Sequence, residues 1–179
     1  MDILTEIQNR RSIRKYKSKE VTDQGINRIL EAALLAPSGS NTQPWKFIVI
    51  RNERLKEKIV EVDHKQKWML TAPVFIVCLA DIGVRIKNND MINLEEDSTN
   101  PELKLIIRDT SIAISYLMLE AQHQGLNTCW TGWYEQKEMR TVLGIPSSMY
   151  VSGIITLGYA DENPKQRPRK SIDDIVEFR

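Results

Sequence analysis

The feature that most constrains the fold is the apolar pattern over residues 101–124. Apolar side chains and one threonine recur there at steps of three and four residues: Leu103, Ile106, Ile107, Thr110, Ile114, Leu117, Met118 and Ala121. This spacing predicts a long helix, with Pro101 in its first turn and Gly125 at its C-terminal end. Ile112, Ala113 and Leu119 make the other faces apolar as well. We therefore expect the helix to be central and buried, with the other elements packed around it.

The rest of the chain alternates between helical and extended patterns. Helices are predicted over 2–9, 22–35, 53–62 and 135–144, and strands over 46–51, 73–80, 127–133 and 150–160. Thr22 is placed to cap the second helix, and Pro37 to end it. Residues 81–100 are polar and poorly periodic, which indicates a variable surface excursion, and 161–179 read as an extended tail. About four strands around one long helix predict an α+β or three-layer α/β domain.

Length and charge restrict the class of protein. The chain has 179 residues, which predicts a single domain over 1–179. With 25 basic and 24 acidic side chains, its net charge of +1 gives no general attraction to nucleic acid or anionic membranes. No apolar run approaches the roughly 20 residues of a membrane span, and the N-terminus does not resemble a signal peptide. Cys78 and Cys129 are expected to be buried, reduced thiols, so we expect a cytoplasmic protein.

The sequence lacks the residue patterns of several common binding and catalytic sites. Neither the glycine-rich dinucleotide motif nor a phosphate-binding P-loop occurs. The only histidines, His64 and His123, have no partners at metal-ligand spacing, and there is no C-x-x-C pair. We expect no metal site and no catalytic histidine. An enzyme with this sequence would rely on a bound organic cofactor for its chemistry.

Two basic clusters lie near opposite ends of the chain. In "RRSIRKY", Arg10, Ser12 and Arg14 alternate, so an extended backbone would place all three on one side. Arg167 and Arg169, in "RPR", have the same spacing. Taken singly, the clusters also fit a solvated turn and a charged tail. If the termini converge, the arginines can form one phosphate site.

Two further stretches have the composition of a ligand site. The loop "PSGSNTQPW" carries five side chains able to form hydrogen bonds, Ser38, Ser40, Asn41, Thr42 and Gln43, and Gly39 permits close backbone approach. "TCWTGWY" places Thr131 and Gly132 between two tryptophans, where a backbone N–H can lie against a flat ring. A capping turn and ordinary core filling remain the alternatives for these two stretches.

Taken in order, these stretches resemble the FMN-dependent nitroreductase family. The resemblance rests on "RRSIRKY", "APSGSNTQPWKF", "APVFIV", "GLNTCWTGW" and "LGYADENPKQRPRK", and it covers nearly the entire chain. It implies a homodimer in which a central, mostly antiparallel sheet is flanked by helices, with two FMN sites at the subunit interface. Residues 81–100 are shorter than the helical insertion that many members carry at this place, so the resemblance implies a small or different substrate lid and does not identify the substrate.

The resemblance also implies a role for each candidate residue. Arg10, Ser12 and Arg14 would bind the phosphate and ribityl chain of FMN, Arg11 would reach the flavin end, and Arg167 and Arg169 would complete the phosphate site. Pro37, Ser38, Gly39, Asn41 and Gln43 would approach FMN from the second subunit. Trp130, Thr131 and Gly132 would lie against the isoalloxazine ring, and Lys65 or Lys67 near its pyrimidine edge.

The implied activity is the transfer of hydride from NADH or NADPH to flavin N5, and then to a nitroaromatic, quinone or enone acceptor, with ping-pong kinetics and no catalytic side chain. A flavin-binding or sensing module without turnover is the alternative from another class. A nucleic-acid-binding domain that uses "RRSIRKYKSK" is a third hypothesis. The near-zero net charge argues against that third one.

Overall fold

A computed structural model describes residues 3–87 and 92–179 of the chain. Nine helices and strands occur within these residues: α1 Thr5–Asn9, α2 Asp23–Leu34, β1 Trp45–Ile50, α3 Glu53–Val62, β2 Val74–Asp81, α4 Pro101–His123, β3 Asn127–Thr131, α5 Gln136–Leu143 and β4 Met149–Gly158. Short 3₁₀ turns lie at Gly39–Asn41, Lys67–Thr71 and Ile82–Val84. All the predicted helices and strands are present, mostly within one or two residues of the predicted bounds. The helix predicted over 2–9 begins only at Thr5, and the strand predicted over 127–133 ends at Thr131.

Helix boundaries follow local hydrogen bonds. The Thr22 side chain accepts a hydrogen bond from the backbone N–H of Gly25, as its position before α2 predicts. Asn100 accepts from the first two N–H donors after Pro101, so α4 begins where the proline suggests. Gly144 ends α5 in the left-handed region, at a φ of 63°, which glycine adopts without strain.

The four strands form one antiparallel sheet in the order β1-β2-β4-β3. Trp45 in β1 is opposite Ala80 in β2, and Ala80 is also paired with Tyr150 at the start of β4. At the other end of β4, Leu157 is opposite Thr128 in β3. β1 and β3 are therefore the two edges of the sheet, and they are farthest apart.

Helices cover both faces of the sheet. Side chains of β2 alternate between the faces: Val74, Ile76 and Cys78 pack with α2 and α4, whereas Phe75, Val77 and Leu79 pack with α3 and α5. This period of two is the geometry of a strand buried on both sides. The three-layer α+β prediction is confirmed.

Three segments differ from the predictions made from the sequence. Helix α4 is not enclosed on every side, because Ile112 and Tyr116 are exposed on one face. The segment 81–100, outside residues 88–91 that the structure does not describe, is not purely a surface excursion. Ile82 and Leu94 are buried against α4 and β4. The tail over 161–179 contains neither helix nor strand, a turn interrupts it within 171–176, and its apolar side chains are exposed in the single chain.

Cys78 and Cys129 are buried free thiols, as expected. Among the residues that the structure describes, no helix combines the length and the apolar character needed to cross a bilayer.

Candidate functional site

The N-terminal basic segment is extended and lies along the β3 edge of the sheet. The N–H of Ile13 donates to the carbonyl of Thr128 at 3.1 Å, and the N–H of Lys17 donates to that of Tyr159 at 2.8 Å. Ile13 and Tyr16 are buried and fix the segment in the core. The residues between them therefore have defined positions at the surface rather than forming a free basic turn.

The two ends of the chain meet at this edge. Four residues of the N-terminal segment and four of the C-terminal tail line a cavity of about 300 Å³: Arg10, Arg11, Ser12, Arg14, Pro164, Lys165, Arg167 and Arg169. Five of these residues are arginines, and no carboxylate is among them. We call this cavity the arginine cavity. All the phosphate-site residues suggested by the sequence are brought together here.

The buried Nη1 of Arg10 has no hydrogen-bond partner among the described residues. A buried guanidinium donor without an acceptor is costly, and an anion in the arginine cavity would relieve that cost. Arg11 differs from the expectation that it reaches a flavin. Its Nη1 donates to the carbonyls of Gln8 and Arg10, at 2.7 and 2.9 Å, and so holds the end of α1.

Arg14 lies between an acid and an aromatic ring. Its backbone N–H donates to the carboxylate of Glu162, and its guanidinium carbon is 5.7 Å from the centre of the Trp68 ring. Cys129 is close to the same charges. Burial raises the pKa of this thiol, while Arg14 and a hydrogen bond involving Ser12 oppose that rise. Cys129 is therefore a neutral, inert thiol close to these charges.

The loop 37–43 has an unusual backbone. Ser40, Asn41 and Gln43 have φ angles of 54°, 54° and 47°, in the left-handed region that residues other than glycine rarely adopt. The hydroxyl of Ser38 accepts from the N–H of Gln43 at 3.0 Å and closes the loop. Such conformations persist where the surroundings hold them, and they concentrate at functional sites.

Gly39 does permit a close approach, but to another part of the same chain. A Cβ atom on this residue would lie 2.6 Å from Nη2 of Arg85. The Gly39 N–H donates to Asp109 and its carbonyl accepts from Arg85, each at 3.1 Å. The backbone of Gly39 is thus used to fix the loop.

The loop and the arginine cavity lie at opposite corners of the sheet. The loop precedes Trp45 in the β1 edge, beside the start of β4, whereas Ser12 is paired with Thr128 in the β3 edge, beside the end of β4. Seven residues of β4 and about four strand spacings separate them, or roughly 20–30 Å. Helix α4 gives a similar distance. Asp109 contacts the loop at Gly39, and His123 contacts α1, which leads into the arginine cavity. The 14 residues from Asp109 to His123 span about 21 Å.

The turn after β3 combines open space with firm support. Nothing lies within 4 Å of the position that a Cβ on Gly132 would take, and Trp130 packs over Gly153 while staying partly exposed. The buried hydroxyl of Thr131 donates to Asp63 at 2.7 Å and accepts from the amide of Gln66 at 2.8 Å. The turn can therefore present a fixed backbone to a flat ligand.

Asp63 and Gln66 are functional candidates that the sequence did not indicate. Asp63 is fully buried, which raises its pKa, and hydrogen bonds from Thr131, Gln66 and the Trp133 backbone oppose that rise. The amide of Gln66 also bonds Asp63, and its oxygen accepts from the Trp68 indole at 3.2 Å. No local sequence pattern marks them, because their shared partner Thr131 lies 68 and 65 positions away along the chain.

The two lysines suggested for the pyrimidine edge are not part of this network. Lys65 forms an ion pair with Glu61 in α3, at 3.1 Å, and Lys67 is exposed. The histidines also take structural positions. His64 stacks on Trp133 with ring centres 3.8 Å apart, and His123 pairs with Glu6 at 2.8 Å. Among the described residues, histidine, cysteine and carboxylate side chains form no group of three that could hold a metal ion.

Comparison with known proteins gives one consistent result. The model of the nitroreductase family matches residues 7–68 and 60–159. A Methanothermobacter thermautotrophicus protein, provisionally named NADH dehydrogenase/NAD(P)H nitroreductase, is 36% identical over 171 residues, covering 93% of this chain and 82% of the relative. The FMN reductase [NAD(P)H] of Bacillus subtilis is 26% identical over 94% of this chain and 70% of its own. An FMN-dependent nitroreductase structure from Clostridium difficile has a TM-score of 0.76 and 33% identity, covering 97% of this chain and 96% of that one.

Proposed function

This chain belongs to the nitroreductase family, and on that premise we propose that it is an FMN-dependent oxidoreductase. It uses NADH or NADPH to reduce a nitroaromatic, quinone or enone acceptor with ping-pong kinetics. When bound, FMN would supply the redox chemistry, the transfer of hydride from the nicotinamide to the second substrate. The names of the relatives, which include an FMN reductase and NAD(P)H nitroreductases, support the cofactor and the electron donor.

The observation that carries the proposal is the arginine cavity. It joins residues from both ends of a nearly neutral chain, and it contains an unpaired guanidinium donor on Arg10. Arginine binds phosphate with a fork of N–H donors and keeps its charge at every physiological pH. We assign Arg10, Ser12, Arg14, Arg167 and Arg169 to the phosphate end of FMN.

The turn after β3 is our candidate for the ring. Gly132 leaves open space where a side chain would otherwise stand, and the buried hydroxyl of Thr131 ties the turn to Asp63 and Gln66. A fixed N–H of Thr131 or Gly132 would stabilise charge that develops on the ring, at no reorganisation cost. No side chain needs to remove a proton for hydride transfer, which fits the structural positions of both histidines.

The distance between the loop and the arginine cavity supports a homodimer. Roughly 20–30 Å within one chain exceeds the length of an extended FMN molecule, so one chain cannot apply both features to one cofactor. A second copy related by a twofold axis can bring its loop, with Pro37, Ser38, Asn41 and Gln43, to the ring held by the first. Each dimer would then hold two FMN molecules.

Exposed apolar side chains support the same assembly. Ile7 of α1, Leu35 after α2 and Tyr116 of α4 line one groove of about 490 Å³, and Phe178 is almost fully exposed at the end of the tail. Contiguous apolar surface of this kind marks protein interfaces. The groove and the tail therefore supply apolar surface that a second copy would cover.

The test is anaerobic stopped-flow mixing of the FMN-loaded protein with NADH and, separately, with NADPH. We expect the visible flavin absorption to bleach with at least one of the two nucleotides. The absorption should recover when a nitroaromatic, a quinone or an enone is added. Absence of bleaching with both nucleotides would contradict the proposal. Flavin binding and bleaching without steady-state turnover over all three acceptor classes would instead support the non-catalytic flavin module.

A further inference from the structure

Arg85 and Asp109 belong to none of the motifs, yet both bind the backbone of Gly39. Nη2 of Arg85 donates to the Gly39 carbonyl at 3.1 Å, and Oδ2 of Asp109 accepts from the Gly39 N–H at 3.1 Å. The guanidinium also pairs with Glu102 at 3.1 Å and lies 3.9 Å from Asp109. One arginine and one carboxylate thus bind both backbone polar groups of a single residue in the loop.

The two side chains that make these contacts are mostly shielded from solvent, although Gly39 itself is exposed. The side chain of Arg85 is 15% exposed and that of Asp109 is 12% exposed. Hydrogen bonds between charged groups and a backbone in such surroundings are stronger than those at an open surface. The pair is therefore able to fix the loop, unlike an ordinary surface ion pair.

The loop needs an external constraint. Ser40, Asn41 and Gln43, which directly follow the fixed glycine, all have left-handed backbone conformations. These conformations are sparsely populated in a free chain and relax unless neighbouring structure holds them. Within the loop itself, the Ser38–Gln43 bond and the contacts between Gln43 and Asn41 are local and partly exposed.

The base of the constraint is rigid. Arg85 directly follows the turn Ile82–Val84, and Ile82 is buried against Leu103 and Ile106 of α4. Asp109 and Glu102 belong to the same helix. The guanidinium of Arg85 therefore fixes the loop relative to α4 and to the end of β2.

We propose that Arg85 and Asp109 are positioning residues that set the shape of the loop 37–43 for the flavin ring of the second subunit. The inference rests on the proposed function for the ligand, and on the geometry above for the constraint. It assigns a role to the short segment after β2: its first residues hold the cofactor loop.

The experiment compares the affinities of the apoprotein for FMN and for riboflavin, which lacks the phosphate. Arg85→Ala should weaken both ligands by the same factor, about 10-fold, because the loop contacts the ring that they share. Arg54→Ala, which removes an exposed arginine of α3, is the matched control and should change neither affinity. Equal affinities of Arg85→Ala and the wild type for both ligands would overturn the inference.

A second readout does not depend on flavin. Hydrogen exchange of the backbone amides over 38–43 should speed up in Arg85→Ala, while amides of β2 keep their protection. Gly39→Ala should have the same local effect, because its Cβ would displace the guanidinium, and it should add little in the Arg85→Ala background. A lower melting temperature with unchanged exchange in the loop would show that Arg85 stabilises the fold without fixing the loop, and would overturn the inference.

The two readouts separate the hypotheses. If the wild-type protein binds neither flavin, the proposed function fails, and the exchange experiment still decides whether Arg85 fixes the loop. If Arg85→Ala does not fold, Arg85→Lys replaces it. This variant keeps the charge but cannot reach Glu102 and the Gly39 carbonyl together, so it should show the same loss of loop protection.

Discussion

Arg14 shows how the folded chain fixes a side chain of the arginine cavity. It lines the arginine cavity, and its guanidinium also lies within reach of the Trp68 ring for a cation–π contact. Its backbone is fixed by Glu162, whose charge stands beside the same cluster. The residue is therefore held in place from the tail of the chain even before a phosphate binds.

At this scale we predict that Arg14→Ala weakens FMN binding and spares riboflavin. Losing one charge-assisted contact to the phosphate should cost about 1.5–3 kcal/mol. Fluorescence titration of the apoprotein with each flavin measures both affinities, with Lys58→Ala on the exposed face of α3 as the control. An equal loss for the two flavins would show that Arg14 acts on the ring rather than on the phosphate.

The sequence revealed some site residues and not others for a physical reason. Arg10, Ser12 and Arg14 were accessible to prediction because strand geometry places alternate residues on one side. The roles of Asp63 and Arg85 depend on partners at Thr131 and Gly39, which are 68 and 46 positions away along the chain. No local pattern encodes such contacts, so only the folded chain identifies them.

At the scale of elements, α2, α3 and α4 were predictable because a helical pattern follows a capping residue, and β2 because it is a continuous apolar run. The side chains of Asn52 and Asn100 cap α3 and α4, and β2 has the length and composition of a strand buried on both faces. The order of the strands and the burial of Leu94 were not predictable, because both follow from pairing and packing between distant segments.

Helix α1 has an apolar spacing without a buried face. Leu4 and Ile7 are exposed in the single chain, so their burial cannot hold the helix in place there. Instead, the Glu6 carboxylate pairs with Nδ1 of His123 near the end of α4. Because α1 leads directly into Arg10, this pair also helps to place the N-terminal side of the arginine cavity.

This pair predicts a pH dependence. Hydrogen bonding to Glu6 raises the pKa of His123 above its ordinary 6.5, and hydrogen bonding to His123 lowers the pKa of Glu6 below its ordinary 4.5. The histidine's contribution is complete below pH 6.5 and is lost as pH rises through its raised pKa. The carboxylate's contribution is complete above pH 4.5 and is lost as pH falls through its lowered pKa. The contact is therefore complete between these limits.

The measurement is an NMR titration of the His123 ring in the wild type and in Glu6→Gln. We expect the pKa of His123 to fall toward 6.5 in the variant, whereas Glu31→Gln, an exposed control in α2, should leave it unchanged. The same His123 pKa in Glu6→Gln and in the wild type would show that the contact does not persist in solution.

At the scale of the whole molecule, the central feature is that the arginine cavity and the loop 37–43 lie on opposite sides of the sheet. Both termini meet at the β3 edge and form the arginine cavity, while the left-handed loop lies at the opposite corner of the sheet. The antiparallel order of the strands fixes this separation, and no rotation of side chains can close it. If the two features act on one cofactor, as we propose, two copies of the chain are needed, and the second copy would also cover the exposed face of α4.

The most direct test is a crystal structure of the protein with FMN bound. We predict a twofold dimer in which Arg10, Arg14, Arg167 and Arg169 of one chain hold the phosphate, while the loop 37–43 of the other chain lies against the ring. A phosphate bound away from the arginine cavity, or a ring contacted only by the chain that binds the phosphate, would contradict the account.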